Sequence, residues 1–138
     1  VKEDIAKRWV AALRSDEFQQ AFGVLRRVAP APVRGTPCHC TIGVLVELAI
    51  ADKAVKPWEE LTIDGLIVES SVDGCSTNLP WSVVEWGGLR TSGGLFDWED
   101  LTDEQAGNEW PSVTSMNDDG KLTFGQQADY IERNFVRL

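Results

Sequence analysis

The chain carries little with which to do chemistry. Its 138 residues include one histidine, His39, and three cysteines, Cys38, Cys40 and Cys75. Three cysteines, two of them one residue apart, make a poor disulfide framework and point to a reducing compartment. A Gly-rich phosphate loop, an H-E-x-x-H helix, a G-x-S-x-G elbow and a dinucleotide-binding fingerprint are all missing, so no catalytic residue is assigned. Bases are scarce in the middle of the chain, where Glu59 to Gly120 holds fourteen acids and one base, Arg90. That balance argues against nucleic acid as a direct ligand, because neutralising phosphates needs a basic face. No charged stretch leading into an apolar one opens the sequence, so no secretory signal is expected. No apolar run reaches the roughly 20 residues that span a bilayer, and no membrane partner is expected.

What is present is a core. From Ile42 to Ala51 only Glu47 is charged, so a helix over Thr41–Asp52 is apolar on almost every side and must be covered all round. Thr41 is placed to cap its start, Gly43 to admit another backbone closely, and Leu45 and Leu48 to fill the interior. At 43% hydrophobic and 25% charged, the composition suits one ordinary globular domain over residues 1–138.

Around that helix the other elements follow from spacing. Ile5, Trp9 and Leu13 recur every four residues, which predicts a helix over 4–15 with one apolar face. Gly23 to Arg26 reads as a short strand, and Ala29 to Pro37, with prolines at 30, 32 and 37, as a loop. Arg26, Arg27 and Arg34 form the single basic cluster, read as solvated. Asp64-Gly65 between Leu61–Ile63 and Leu66–Ser70 predicts a hairpin, and a second Asp-Gly follows at 73–74. Pro80 opens a two-turn helix closed by Gly87-Gly88. Thr123 and Gln126 form a capping-box pattern, and Phe124, Ala128, Ile131 and Phe135 make the stripe of a final helix. The expected fold is α+β, a single domain. Its central buried helix carries the helices at 4–15 and 123–135, and a small antiparallel sheet covers one side.

Candidate sites are few. Cys38, His39, Cys40 and Cys75 offer three thiols and one imidazole, but structural zinc is held by C-x2–4-C knuckles, a spacing this set lacks. Ser115 to Gln126 echoes a calcium loop, yet Ser stands where the first Asp belongs and Gln where a bidentate Glu is needed. No metal and no cofactor is therefore expected. Of the six tryptophans, Trp9 and Trp86 fall on apolar helix faces, whereas Trp58, Trp98 and Trp110 lie in loops beside acids, as packed rings or as interface anchors. Asp97, Glu99, Asp100, Asp103, Glu104 and Glu109 come without a base among them. Such a run often serves only solubility. Interleaved with Trp98 and Trp110, it is the expected contact face for a basic partner.

Four stretches carry a resemblance. Trp9 to Gln20, Cys40 to Ala49, Leu79 to Leu89 with its Pro80, Val83, Trp86 and Gly88, and Met116 to Glu132 follow in an order that resembles small uncharacterised proteins of actinobacterial tailed phages and prophages. The similarity covers most of the chain, through helix stripes and caps. Cys38-His39-Cys40 departs from it, since adjacent cysteines are expected there. The resemblance implies a phage or prophage origin, expression in the bacterial cytoplasm and a role outside the virion, and it carries over no catalytic residues. The expected function is a small acidic protein that binds and modulates a host protein with a basic surface, its oligomeric state left open. The alternatives are a metal- or small-ligand-binding accessory protein and a small hydrolase.

Overall fold

The computed structural model describes residues 1–28, 36–97, 99 and 109–138. Helix α1 spans Glu3–Arg14, with Glu3 and Asp4 in its first turn and Arg14 in its last, charges that suit the helix dipole. The two-residue strands β1 (Gln19–Gln20), β2 (Arg26–Arg27) and β3 (Cys38–His39) then form a small sheet, in which β3 lies parallel to β1 and antiparallel to β2. Helix α2 runs Thr41–Ala51, strands β4 (Glu59–Ile63) and β5 (Leu66–Ser71) form an antiparallel hairpin, and α3 covers Trp81–Gly87. Two more helices close the described chain, α4 (Val113–Asp118) and α5 (Phe124–Asn134), the latter running into a 3-10 turn at Phe135–Arg137. The fold is α+β.

Helix α2 is the centre, as its composition requires. Ile42, Val44, Leu45, Val46 and Ala49 are each at most 1% exposed, in contact with α1, α3 and α4. Its start differs from the expected one: Cys40 is the N-cap, without a side-chain cap, and Thr41 is already helical. Thr41 points inward instead, its hydroxyl within hydrogen-bond reach of Asn117 Oδ1 at 3.1 Å and of Gln127 Oε1. Leu45 is fully buried while Leu48 is half-buried, so the two leucines are not equivalent. Leu45→Ala should lower stability by about 2–5 kcal/mol and Leu48→Ala by clearly less, read as shifts of the urea midpoint. Equal shifts would show that α2 faces its neighbours differently.

Helix α5 packs chiefly along α1, burying Phe124, Gln127, Ala128 and Ile131. Thr123 and Gln126 form the reciprocal capping box that starts it. Arg14 bridges Asp129 and Glu132 across these helices, each at 2.7 Å, but all three side chains are more than 40% exposed. Such exposed pairs hold little energy, and the apolar stripes do the joining. Between α1 and α2 the Trp9 indole N–H donates to the Thr41 carbonyl at 2.9 Å.

The hairpin behaves differently from the expected covering sheet. Asp64 (φ 51°) and Gly65 (φ 77°) both sit in the left-handed region, the two-residue turn that matches strand twist. Yet all five residues of β4 are exposed, so the hairpin stands off the core.

Candidate protein-interaction surface

The base of the hairpin is clamped by a polar cluster. Arg26, in β2, donates through Nη1 to Glu60 Oε1 of β4 at 2.9 Å and to Ser70 Oγ of β5 at 3.1 Å. Its guanidinium lies 5.5 Å from the centre of the Trp58 ring, within cation–π range. The Arg26 side chain is only 13% exposed, so it is a buried clamp and not part of a solvated loop. Arg27 is exposed on the same strand, and Arg34 lies outside the described residues.

Trp58 continues the cluster inward, donating its indole N–H to Glu47 Oε1 at 2.7 Å. The same oxygen accepts from His39 Nε2 at 2.7 Å, which fixes the tautomer, because a carboxylate can only accept. His39 Nδ1 and Arg26 Nε are buried with no hydrogen-bond partner. Burial works to raise the Glu47 pKa, but the hydrogen bonds from His39 and Trp58 prevail and hold it below its ordinary 4.5. A lowered folded-state value means that this carboxylate adds stability above pH 4.5, lost as pH falls through the folded value. Glu47→Gln should therefore flatten the acid limb of the stability curve below that pH. Parallel curves for the variant and the parent would remove Glu47 from the account.

Cys38, His39 and Cys40 occupy β3 and the start of α2, but among the described residues no group of three or more His, Cys, Asp or Glu side chains gathers as metal ligands would. Cys40 is buried, and burial pushes its thiol up to about 12, so it holds no thiolate at neutral pH. In the calcium-like stretch, Asn117 turns into the interior. Its Oδ1 accepts from Gln20 at 2.9 Å and Gln127 at 3.3 Å, and its amide donates to the Ala21 carbonyl at 2.9 Å. Ser115 is spent on the capping box of α4 with Ser112. These side chains are packing and capping groups.

The expected acidic face is only partly described, since Trp98, Asp100, Asp103 and Glu104 lie outside the described residues. Of the rest, Asp97 pairs with Arg90 and exchanges backbone bonds with Arg137, N–H to carbonyl at 2.8 Å and guanidinium to carbonyl at 3.0 Å. Glu109 accepts from the Tyr130 hydroxyl, which burial and Glu109 together push up to about 12. The Trp110 ring is half-buried and lies so close over Gly120 that a Cβ there would sit 2.4 Å from it. Glu99 is exposed. Asp97, Glu109 and Trp110 are thus already committed within the protein.

The exposed apolar surface lies elsewhere. Leu61, Ile63, Leu66 and Val68 are 55%, 54%, 41% and 53% exposed. Leu61 and Ile63 alternate on one face of β4, Ile63 pairs with Leu66, and Val68 is the extra residue where the register shifts between Leu61 and Thr62. Four carboxylates frame them, Glu59, Glu60, Asp64 and Glu69, and no Lys or Arg occurs from 57 to 89. The Asp-Gly turn announces the hairpin in the sequence, but its exposure does not follow from local pattern. Trp81, 63% exposed on α3, stands apart as a single ring, which is ordinary for a protein surface. No described helix is long and apolar enough to cross a membrane.

Residues 1–135 match a family model described as a domain of unknown function, DUF8296. No curated protein and no solved structure matches the chain.

Proposed function

We propose that this chain, which belongs to the DUF8296 family, is a protein-binding module, encoded by a phage or prophage, that engages a bacterial host protein with a basic surface in the cytoplasm. The observation that carries the reading is the hairpin, four half-exposed aliphatic side chains framed by the carboxylates of Glu59, Asp64 and Glu69, with Glu60 held at its base by Arg26. A contiguous apolar patch with a polar rim is the ordinary mark of an interaction site. Aliphatic anchors supply affinity, while the carboxylates steer encounter with a basic partner and reject acidic ones. The resemblance to small phage proteins supplies the host setting. The hairpin carries the contact in this reading because Asp97, Glu109 and Trp110 are engaged internally.

The test compares what an immobilised parent and an Ile63→Ser/Val68→Ser variant retain from bacterial lysate. A host protein held by the parent and lost by the variant is the expected result, with retention falling as salt rises. The two serines replace exposed side chains, so the melting temperature should be preserved. Retention unchanged by the variant, but abolished by reversing Asp100, Asp103 and Glu104 to lysine, would return the contact to the acidic segment. Retention unaffected by either set would end the reading.

A further inference from the structure

The hairpin has an unused edge. Strand β5 has β4 on one side, and its other edge faces β2 across a cleft of about 300 Å3 whose lining includes Arg26 and Ile67. Strand β4 has β5 on one side and, among the described residues, no strand on the other. The register tells which of its groups are open. Ile63 and Leu66 flank the two-residue turn and exchange hydrogen bonds, so Thr62, opposite Ile67, directs its N–H and C=O away from β5. Beyond the bulge the alternation resumes with Leu61 opposite Glu69, and Glu60, opposite Ser70, again points outward. Two residues, Glu60 and Thr62, thus offer two donors and two acceptors to solvent along an exposed strand.

Resting on the function proposed above, we infer that the partner is recognised by strand addition: an extended segment with alternating apolar and basic residues pairs with the free edge of β4. Backbone bonds to Glu60 and Thr62 supply register, and the side chains supply selection. Residues opposite Leu61 and Ile63 lie on the apolar face and extend it. Glu59 shares the face of Leu61 and Ile63, so the basic residues of an alternating segment fall opposite Glu60 and Thr62, and the one opposite Glu60 shares its carboxylate with Arg26. Charge decides between a foreign strand and a second copy. Pairing two β4 edges would bring together two hairpins with four carboxylates each, one of them, Glu60, paired with Arg26, on chains of net charge −9. A basic strand turns the same carboxylates into an attraction.

The probe is a blocked eight-residue peptide alternating Lys and Val, titrated into the uniformly 15N-labelled whole protein. Saturable shifts centred on the amides of Glu60 and Thr62, with none from the matching Glu/Val peptide, are the expected result. N-methylating the peptide on its pairing edge removes the donors it offers to β4 and should weaken binding by about tenfold, as loss of one or two net hydrogen bonds implies. Thr62→Pro should do the same from the protein side. The Thr62 N–H points outward, so the hairpin's own ladder survives its removal. Should that variant unfold the hairpin, the methylated peptide still decides.

No saturable shift at Glu60 and Thr62, equal binding of the methylated peptide, or a dimer of the protein alone that Thr62→Pro dissolves would each overturn the addition of a foreign strand. The two readings fail separately. Capture of a host protein that depends on Ile63 and Val68, with no peptide pairing at β4, keeps the interaction surface and discards the strand. Peptide pairing at β4, with host capture indifferent to the hairpin, supports the edge chemistry and discards the proposed host contact.

Discussion

Gly43→Ala will destabilise the protein by about 3 kcal/mol or more, although helix propensity taken alone predicts a gain near 1 kcal/mol. A Cβ on Gly43 would stand 1.9 Å from the Leu25 carbonyl oxygen and 2.9 Å from its carbon. Both are backbone atoms, so no side chain can swing aside. Leu25 is also pinned: its N–H donates to the Ser76 carbonyl at 2.8 Å, its own carbonyl accepts from Cys40 N–H at 3.1 Å, and its side chain is fully buried. Relief requires α2 to move off the segment that leads into β2, loosening a helix that packs on α1, α3 and α4. Chemical denaturation reads the loss, and a midpoint at or above that of the parent would show that the close approach is not made.

Trp9→Ala should cost a comparable amount, roughly 3–5 kcal/mol, the usual range for a buried aromatic. The ring, carried by α1, is fully buried, and its N–H reaches the Thr41 carbonyl of α2. The apolar volume outweighs the hydrogen bond. Trp9→Phe loses the donor and part of the ring volume but keeps a six-membered ring, so it should cost clearly less than the alanine, about 1–3 kcal/mol. If both variants lost the same stability, the bond to Thr41 would be the dominant contribution and the cavity argument would be wrong.

Several of these contacts are legible in the sequence because a local signal implies them. The four-residue spacing of Ile5, Trp9 and Leu13 gives α1, Asp64-Gly65 gives the hairpin turn, and Thr123 with Gln126 gives the start of α5. Gly43 is legible as a point of close approach, though not which backbone approaches it. What stays hidden depends on partners distant in the chain. Two-residue strands such as Gln19–Gln20 and Cys38–His39 have no period to read, and they exist because β3 reaches both β1 and β2. Thr41 looks like a cap until Asn117 and Gln127 draw its hydroxyl inward.

The same limit governs the candidate site. Carboxylates can be counted in the sequence, but Arg90 and Tyr130, which engage Asp97 and Glu109, cannot be assigned to them there. Arg26 falls beside a proline-rich loop in the sequence and clamps Glu60 and Ser70 in the fold. Whether a hairpin covers a core or stands off it is likewise decided by what packs beneath.

The pairing of α1 with α5 also sets an order of events during synthesis. The apolar stripe of Ile5, Trp9 and Leu13 is completed by α2 and by Phe124–Asn134, and the second of these is made more than a hundred residues after the stripe itself. At about 5–20 residues per second, that stripe stays only partly covered for roughly 6–22 seconds, available to chaperones and to neighbouring nascent chains. Closing so long a separation belongs to the slow, non-local part of folding. Variants that weaken α5 should therefore lower the yield of folded protein in the cell by more than their equilibrium stability accounts for.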